Sequence, residues 1–276
     1  MRRISARTAA FFLAITAATA SAVEREGTPM ETIRLNDLKL TVLYDNYAAD
    51  EGLEAEWGFA CLVEGGEETI LFDTGGPDDL LLRNMEKLAI DPGKVDRIVL
   101  SHYHRDHIGG LPGFLTKNPD VTVHFPKSFP ETFRSAVEEK GTKTVTVDEP
   151  ARIAPGVRST GVLNGGIPEQ SLLVSTDRGV VVLTGCSHPG IVSIVERARE
   201  VTGEEILLVA GGLHLLRHED GDVKKIVERL RELGVRVAAP SHCSGDRARE
   251  IFAESYGDRF VDLGVGRVIE GADLPL

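Results

Sequence analysis

Positive charge is scarce in this sequence of 276 residues. It has 31 lysines and arginines against 43 aspartates and glutamates, which gives a formal net charge of −12. A nucleic-acid-binding surface needs clustered Lys and Arg to displace counterions from phosphates. No basic stripe occurs along the chain, so we expect no nucleic-acid partner.

Long apolar runs are also missing. The N-terminal run, residues 9–18, is only half of the roughly 20 residues that a membrane-spanning helix needs. Arg2, Arg3 and Arg7 precede it, and Ala20-Ser-Ala22 follows. A basic start, a short apolar stretch and an A-x-A site are typical of a cleaved export signal. We therefore predict a signal peptide at 1–22 and a periplasmic or secreted protein without stable membrane association after cleavage; an uncleaved anchor is the alternative.

Cysteine is rare, and the three cysteines are Cys61, Cys186 and Cys243. An odd number leaves at least one of them outside any intrachain disulfide. Cys61 lies in an apolar, strand-like run and is expected to be a small buried residue. Cys186 and Cys243 each lie within two positions of a histidine, which makes them candidates for a functional site.

Histidine is concentrated in one place. Residues 101–110 read SHYHRDHIGG, so three of the eight histidines in the chain fall within six positions. Imidazole nitrogen and carboxylate oxygen are ligands that Zn²⁺ binds at about 2.0 to 2.2 Å. The segment follows an apolar, β-branched run at 96–100 that predicts a buried strand. The sequence therefore predicts a metal site formed by His102, His104, Asp106 and His107.

Apolar periodicity divides the remainder into strands followed by alternating helices and strands. Strands are predicted at 32–43, 58–63, 68–72, 121–125, 179–184, 206–210, 235–239 and 260–269, and helices at 77–88, 130–140, 190–201, 222–233 and 246–256. This order indicates two packed sheets with helices outside. No internal repeat or linker divides the chain, so one domain is expected over 30–272.

Several motifs resemble those of the metallo-β-lactamase-fold hydrolases. His102-Tyr-His-Arg-Asp-His107 is similar to their metal-binding signature, and Pro240-Ser-His242 to their last ligand-bearing strand end. TGCSHPGI at 184–191, GGLHL at 211–215 and SHCSG at 241–245 resemble a branch of uncharacterised metal-dependent hydrolases. That branch also contains an archaeal phosphosugar-transferring enzyme of methanopterin biosynthesis. The resemblance implies an α/β fold, an αββα sandwich with the metal site at one edge of the two sheets.

The resemblance also implies a ligand set for two ions, with Zn²⁺ expected and Mn²⁺ or Fe²⁺ as alternatives. Each ion is assigned three side chains: His102, His104 and His188 for the first, and Asp106, His107 and His242 for the second. Cys186 stands where usual members carry a bridging aspartate, and no histidine occurs upstream at 165–170. Either His188 replaces that upstream ligand or Cys186 binds as a thiolate; a packing role for Cys186 is the third alternative. Asp73 is either a carboxylate that orients a ligand histidine or an ordinary turn residue.

These expectations lead to a functional hypothesis. The protein is predicted to be an exported hydrolase in which a metal-bound hydroxide attacks a small, anionic ester or phosphoester. Asp106 and His214 are the candidate catalytic residues, and His214 would donate a hydrogen bond to a leaving group. β-Lactamase or lactonase activity, phosphosugar transfer and metal or ligand binding without turnover are the alternatives. The loop at 46–58, with the single tryptophan Trp57, either covers the site or only connects two elements.

Overall fold

The computed structural model describes residues 31–77 and 79–276, so the predicted signal peptide lies outside the described residues. Two mixed β-sheets face each other. The strands are β1 Lys39–Tyr44, β2 Ala60–Glu64, β3 Ile70–Phe72, β4 Arg97–Val99, β5 Thr122–Pro126, β6 Lys143–Val147, β7 Ala151–Ala154, β8 Val157–Ser159, β9 Leu172–Thr176, β10 Gly179–Thr184, β11 Ile206–Gly212, β12 Val237–Ser241 and β13 Val268–Glu270. The helices are α1 Leu80–Lys87, α2 Arg105–Ile108, α3 Leu111–Phe114, α4 Glu131–Glu138, α5 Ile191–Thr202, α6 Asp220–Glu232 and α7 Asp246–Tyr256.

In each sheet the parallel strands lie together on one side of the strand order. One sheet has the order β13-β1-β2-β3-β4-β5-β6, and the other has the order β12-β11-β10-β9-β8-β7. β2 and β3 form an antiparallel hairpin, and β3 to β6 are parallel. In the second sheet β10, β11 and β12 are parallel.

Successive side chains of one strand face two different cores, which explains how the layers stack. In β10, Val181 and Leu183 face the core between the sheets, whereas Val180 and Val182 face a second core under α5, α6 and α7. Successive strand side chains point to opposite faces, so a strand buried on both faces is apolar throughout. The first sheet packs its outer face against α1, α3 and α4 in the same way. The αββα sandwich predicted from the resemblance is confirmed.

Cys61 lies between the two sheets with only 2% of its surface exposed, as expected for a small buried residue. Within the described residues, no helix combines the length and apolarity needed to cross a bilayer. The boundaries predicted for the signal peptide and the domain stay predictions.

Two strand predictions were too long. The segment predicted as a strand at 260–269 pairs as a strand only over Val268–Glu270, after a single bridge between Phe260 and Ala238. Gly266 has a φ of 87°, which no extended strand adopts, and this interrupts the run. The segment 32–43 begins with a 3₁₀ turn at Leu35–Asp37, so its strand starts only at Lys39.

The parallel strands bring their carboxyl ends to one edge of the sandwich. Asp73 follows β3 and the histidine-rich segment follows β4. Cys186 and His188 follow β10, His214 follows β11 and His242 follows β12. Because carboxyl ends of neighbouring parallel strands meet at one edge, residues far apart in sequence are collected there.

His124 on β5 gives the fold a defined acid sensitivity. Its ring is buried and its Nδ1 has no hydrogen-bond partner among the described residues, while Nε2 lies 3.3 Å from the Arg97 guanidinium. Burial, and then the charge of Arg97, lowers the pKa of His124 to about 4. The folded state therefore favours neutral His124, so its contribution to stability is present above pH ~6.5 and is lost as the pH falls toward ~4.

We predict that His124→Gln reduces the acid destabilisation of the metal-free protein. Between pH 7 and pH 4.5, the free energy of unfolding of wild type should fall by about 2 kcal/mol more than that of His124→Gln. Urea unfolding at several pH values measures it, and His218→Gln, at an exposed histidine, is the control. Equal pH slopes for wild type and His124→Gln would contradict this account.

Candidate metal centre

The segment after β4 supplies the first donors of the site. His102 is fully buried, and its Nε2 lies 3.0 Å from Nδ1 of the half-buried His104. Nε2 of His188, from the turn after β10, lies 3.3 Å from the same His104 nitrogen. Three imidazole nitrogens assigned to the first ion therefore converge, although they come from both sheets.

A second set of donors lies beside the first. His107 Nε2 is 3.3 Å from His242 Nε2, and Asp106 Oδ2 lies 3.7 Å and 3.4 Å from these two nitrogens. Asp106 and His107 lie on α2, the single helical turn that begins directly after His104. The two halves of the motif are thus directed to separate groups of donors, as the assignment to two ions requires.

Cys186 lies between the two groups. Its Sγ is 3.2 Å from His107 Nε2. The thiol and the donors of Asp106, His107 and His242 all lie within 4.8 Å of one another, and the same limit holds for Cys186 with His102 and His188. The structure therefore brings both Cys186 and His188 to the site, and each remains available as a ligand.

The donor chemistry fits a bound metal ion. Burial, and then the neighbouring histidines, lowers the pKa of His102 well below its usual value, and that of His188 to about 4. Burial alone would raise the pKa of Asp106, but the hydrogen bond from His242 and the charge of His107 hold it below its usual range. The low pKa values of His102 and His188 favour their neutral form, and neutral imidazole, ionised carboxylate and thiolate are ligand types found at protein metal sites.

Asp73 contacts Ser101 and the candidate ligand His107 and holds them in place. It is completely buried and has a φ of 57°. Its Oδ1 accepts a hydrogen bond from the Ser101 amide, and its Oδ2 accepts from Ser101 Oγ and pairs with His107 Nδ1, each at 2.7 Å. Although burial opposes it, Asp73 raises the pKa of His107 to about 9. These contacts favour the interpretation that Asp73 orients a ligand histidine.

At position 185, next to these hydrogen bonds, there is no space for a residue larger than glycine. A Cβ atom on Gly185 would lie 2.1 Å from Ser101 Oγ and 3.0 Å from Asp73 Oδ2. Glycine at this position therefore allows the turn that carries Cys186 to pack directly against Asp73 and Ser101.

Glu169 is a supporting residue that sequence reasoning missed. This buried carboxylate accepts hydrogen bonds from three consecutive amides, those of Cys186 and Ser187 at 2.9 Å and that of His188 at 2.8 Å. Ser187 has a φ of 64°, so the turn is strained and needs such support. Glu169 therefore fixes the backbone on which two candidate ligands lie. Its own sequence segment has no pattern that would have revealed this role.

Asn46 was also missed. Its Oδ1 lies 2.9 Å from His242 Nδ1, and its Nδ2 donates to the His242 carbonyl at 3.2 Å. The adjacent Asp45 is buried and accepts a hydrogen bond from Ser241 Oγ. The segment after β1 thus fixes the orientation of the ring at the end of β12.

The loop at 46–58 covers one side of the centre, which decides between its two interpretations. Trp57 Nε1 donates to Asp106 Oδ2 at 2.9 Å, and its ring centroid lies 5.0 Å from that of His242.

On another side of the centre, the exposed His214 has its ring 4.4 Å from that of His188 and a φ of 55°. Its interaction with the Cys243 thiol raises the pKa of His214. His214 is thus adjacent to the converging donors.

Comparisons with known proteins agree with this geometry. The family profile of the metallo-beta-lactamase superfamily matches residues 58–242. The 7,8-dihydropterin-6-methyl-4-(beta-D-ribofuranosyl)-aminobenzene-5'-phosphate synthase of Methanocaldococcus jannaschii is 29% identical over 86% of this chain and 98% of its own. An uncharacterised protein of the same organism is 27% identical over 83% of this chain and 99% of its own.

Among solved structures, Tm1679, a metal-dependent hydrolase of the beta-lactamase superfamily, is 32% identical. It has a TM-score of 0.71, with 84% of this chain and 98% of its own covered. The metallo-beta-lactamase fold protein YhfI of Bacillus subtilis has a TM-score of 0.64 at 18% identity, with 84% of this chain and 99% of its own covered. The second match supports the fold alone.

We predict that Glu169→Gln weakens metal binding by roughly tenfold to a hundredfold, the range typical of residues that support ligands. An amide presents one acceptor oxygen and an NH₂ group, so it cannot accept from all three amides as the carboxylate does. Competition with a chelator measures the affinity, and Glu205→Gln, at an exposed glutamate, is the control. Equal affinities of wild type and Glu169→Gln would remove the supporting role.

Proposed function

The chain belongs to the metallo-beta-lactamase superfamily, and we propose that it is an exported, metal-dependent hydrolase of a small, anionic ester or phosphoester. The observation that carries this proposal is the convergence of two groups of donors on one edge of the sandwich, with the Cys186 thiol within 4.8 Å of donors in both. A binding protein would have no need of the open coordination position that a hydrolase requires.

Two zinc ions are the proposed occupants of these donors, with Mn²⁺ or Fe²⁺ as alternatives. His102, His104 and His188 would hold one ion, and Asp106, His107 and His242 the other. When bound, the ions would supply Lewis acidity and lower the pKa of a water nucleophile. Thiolate coordination by Cys186 would favour zinc over metals that prefer carboxylates.

The residues around these donors have separate tasks in the proposed reaction. The Asp106 carboxylate accepts the Trp57 N–H, which fixes one of its oxygens and leaves the carboxylate anionic. His214 is exposed and next to His188, so it can donate a hydrogen bond to a leaving oxygen. Burial of His102 and His107 keeps bulk water from the base of the site and strengthens electrostatic interactions there.

A specific observation favours a second candidate function. The M. jannaschii relative, aligned over 86% of this chain, is named as a synthase of a ribofuranosyl 5'-phosphate compound. The same donors could therefore serve a transfer in which an organic acceptor replaces water. The proposed export would separate the protein from cytoplasmic biosynthesis, so we rank hydrolysis first.

We predict that Asp106→Ala lowers kcat/KM for phosphoester hydrolysis by about a hundredfold or more, since the loss of a ligand exceeds that of a supporting residue. The assay uses a panel of carboxylic and phosphoric esters with zinc-loaded or manganese-loaded protein. Asp258→Ala, at an exposed aspartate, is the control and should retain activity. Undiminished turnover in Asp106→Ala would contradict the mechanism.

Isotope labelling distinguishes hydrolysis from transfer. If water is the acceptor, reaction in H₂¹⁸O places ¹⁸O in the acid or phosphate product, as mass spectrometry detects. If the label enters no product while an added alcohol or amine becomes modified, the synthase-type function is correct instead.

A further inference from the structure

A cleft of about 650 Å³ opens beside the metal centre. Trp57, His214 and Cys243 line it. Trp57 donates a hydrogen bond to Asp106 and the His214 ring contacts that of His188, so the cleft adjoins the donors described above. The loop between β11 and α6 forms another part of its wall and contributes Leu216 and Arg217. Its position makes it a place for a substituent of a molecule whose reacting bond lies at the metals.

The cleft contains two large apolar side chains that are exposed to solvent. Trp57 is 47% exposed and Leu216 is 57% exposed. Neither contributes to the packed cores in this arrangement. Exposed large apolar side chains that meet in one concave place mark a binding site more often than scattered ones do.

Hydrogen bonds to residues of the site hold the Trp57 side chain and the Leu216 backbone in position. Trp57 is fixed by its hydrogen bond to Asp106 at 2.9 Å. The Leu216 amide donates to the Cys243 carbonyl at 3.2 Å, and Gly245 provides the space: a Cβ there would lie 2.5 Å from Leu216 Cδ1. The cleft is thus preformed and directly connected to residues that flank the candidate ligands.

Charges in the cleft are nearly balanced. Arg217 and His218 line it together with Glu219 and Asp222. Asp222 is engaged with Lys225 at 2.9 Å. The apolar surfaces of Trp57 and Leu216 therefore distinguish this cleft more than its charge does.

We propose that this cleft binds a flat, aromatic substituent of the substrate, so that the preferred substrates are aryl esters, in particular aryl phosphoesters. The inference rests on the proposed function, because it assumes that the anionic group of the same molecule meets the metals. An aromatic ring gains from contact with the Trp57 indole beyond the burial of its area, whereas a methyl substituent has much less surface to bury and no ring to stack.

Trp57 makes binding directly measurable, because it is the only tryptophan in the chain. Zinc-loaded protein is titrated with phenylphosphonate and with methylphosphonate, two non-hydrolysable anions that differ only in the ring. We expect phenylphosphonate to change the Trp57 emission and to bind about tenfold more tightly than methylphosphonate, the gain from burying one ring face. Equal affinities, or no response of Trp57 to phenylphosphonate, would overturn the proposal.

Leu216→Ala tests the other apolar wall without altering Trp57 or any candidate ligand. It should reduce the preference for phenylphosphonate severalfold and leave the affinity for methylphosphonate unchanged. Val268→Ala removes an exposed aliphatic side chain that lies outside the cleft, on β13, and is the matched control. A preference that Leu216→Ala leaves intact would overturn the proposal. An emission that changes with protein concentration instead of ligand would also overturn it, because a second copy of the chain would then occupy the cleft.

Turnover separates this inference from the proposed function. If phenylphosphonate binds at Trp57 but no ester is hydrolysed by the metal-loaded protein, the cleft assignment stands and hydrolysis is wrong. If phenyl phosphate and methyl phosphate are hydrolysed with equal kcat/KM and Leu216→Ala changes neither, hydrolysis stands and the aromatic preference is wrong.

Discussion

Three buried carboxylates surround the candidate centre, and the need to compensate their charge governs this edge of the protein. Asp45 and Asp73 are fully buried, and Glu169 is 1% exposed. A buried carboxylate without compensation is costly, so each accepts hydrogen bonds from the backbone or from hydroxyl groups of the site. Burial still raises the pKa of Asp45 to about 6 and that of Glu169 above its usual value. Cations bound to the neighbouring imidazoles would complete the compensation.

The fold places these buried carboxylates and the candidate ligands at the same edge of the sandwich. Parallel strands from both sheets end at the same edge, which brings turns with rigid starting points together. The donors lie on these turns. Four residues of the turns have positive φ values: Asp73, Ser187, His214 and His242. Backbone strain of this kind is found where the surrounding contacts over-determine a functional geometry. The covering loop with Trp57 then links the donors to a cleft in which a substrate could be selected.

The sequence predicted the parts of this arrangement that local patterns encode. The motif at 101–107 was recognisable because its ligand types are adjacent, and the buried strands were recognisable from their apolar runs. Asn46 and Glu169 were not, because each is a single polar residue that meets its partner only after folding, 196 positions away in the case of Asn46 and His242. The segment 260–269 was misjudged because Gly266 interrupts an otherwise strand-like run.

We propose that the converging donors hold two ions, with the Cys186 thiol between them. The experiment is elemental analysis of purified protein after reconstitution with zinc, with wild type, His188→Ala and Cys186→Ala measured together. We expect two ions per chain in wild type and a fall toward one in His188→Ala. Occupancy that survives His188→Ala but is lost in Cys186→Ala would transfer that ligand role to the thiolate. The absence of metal from all three proteins, after reconstitution with zinc or manganese, would contradict the account.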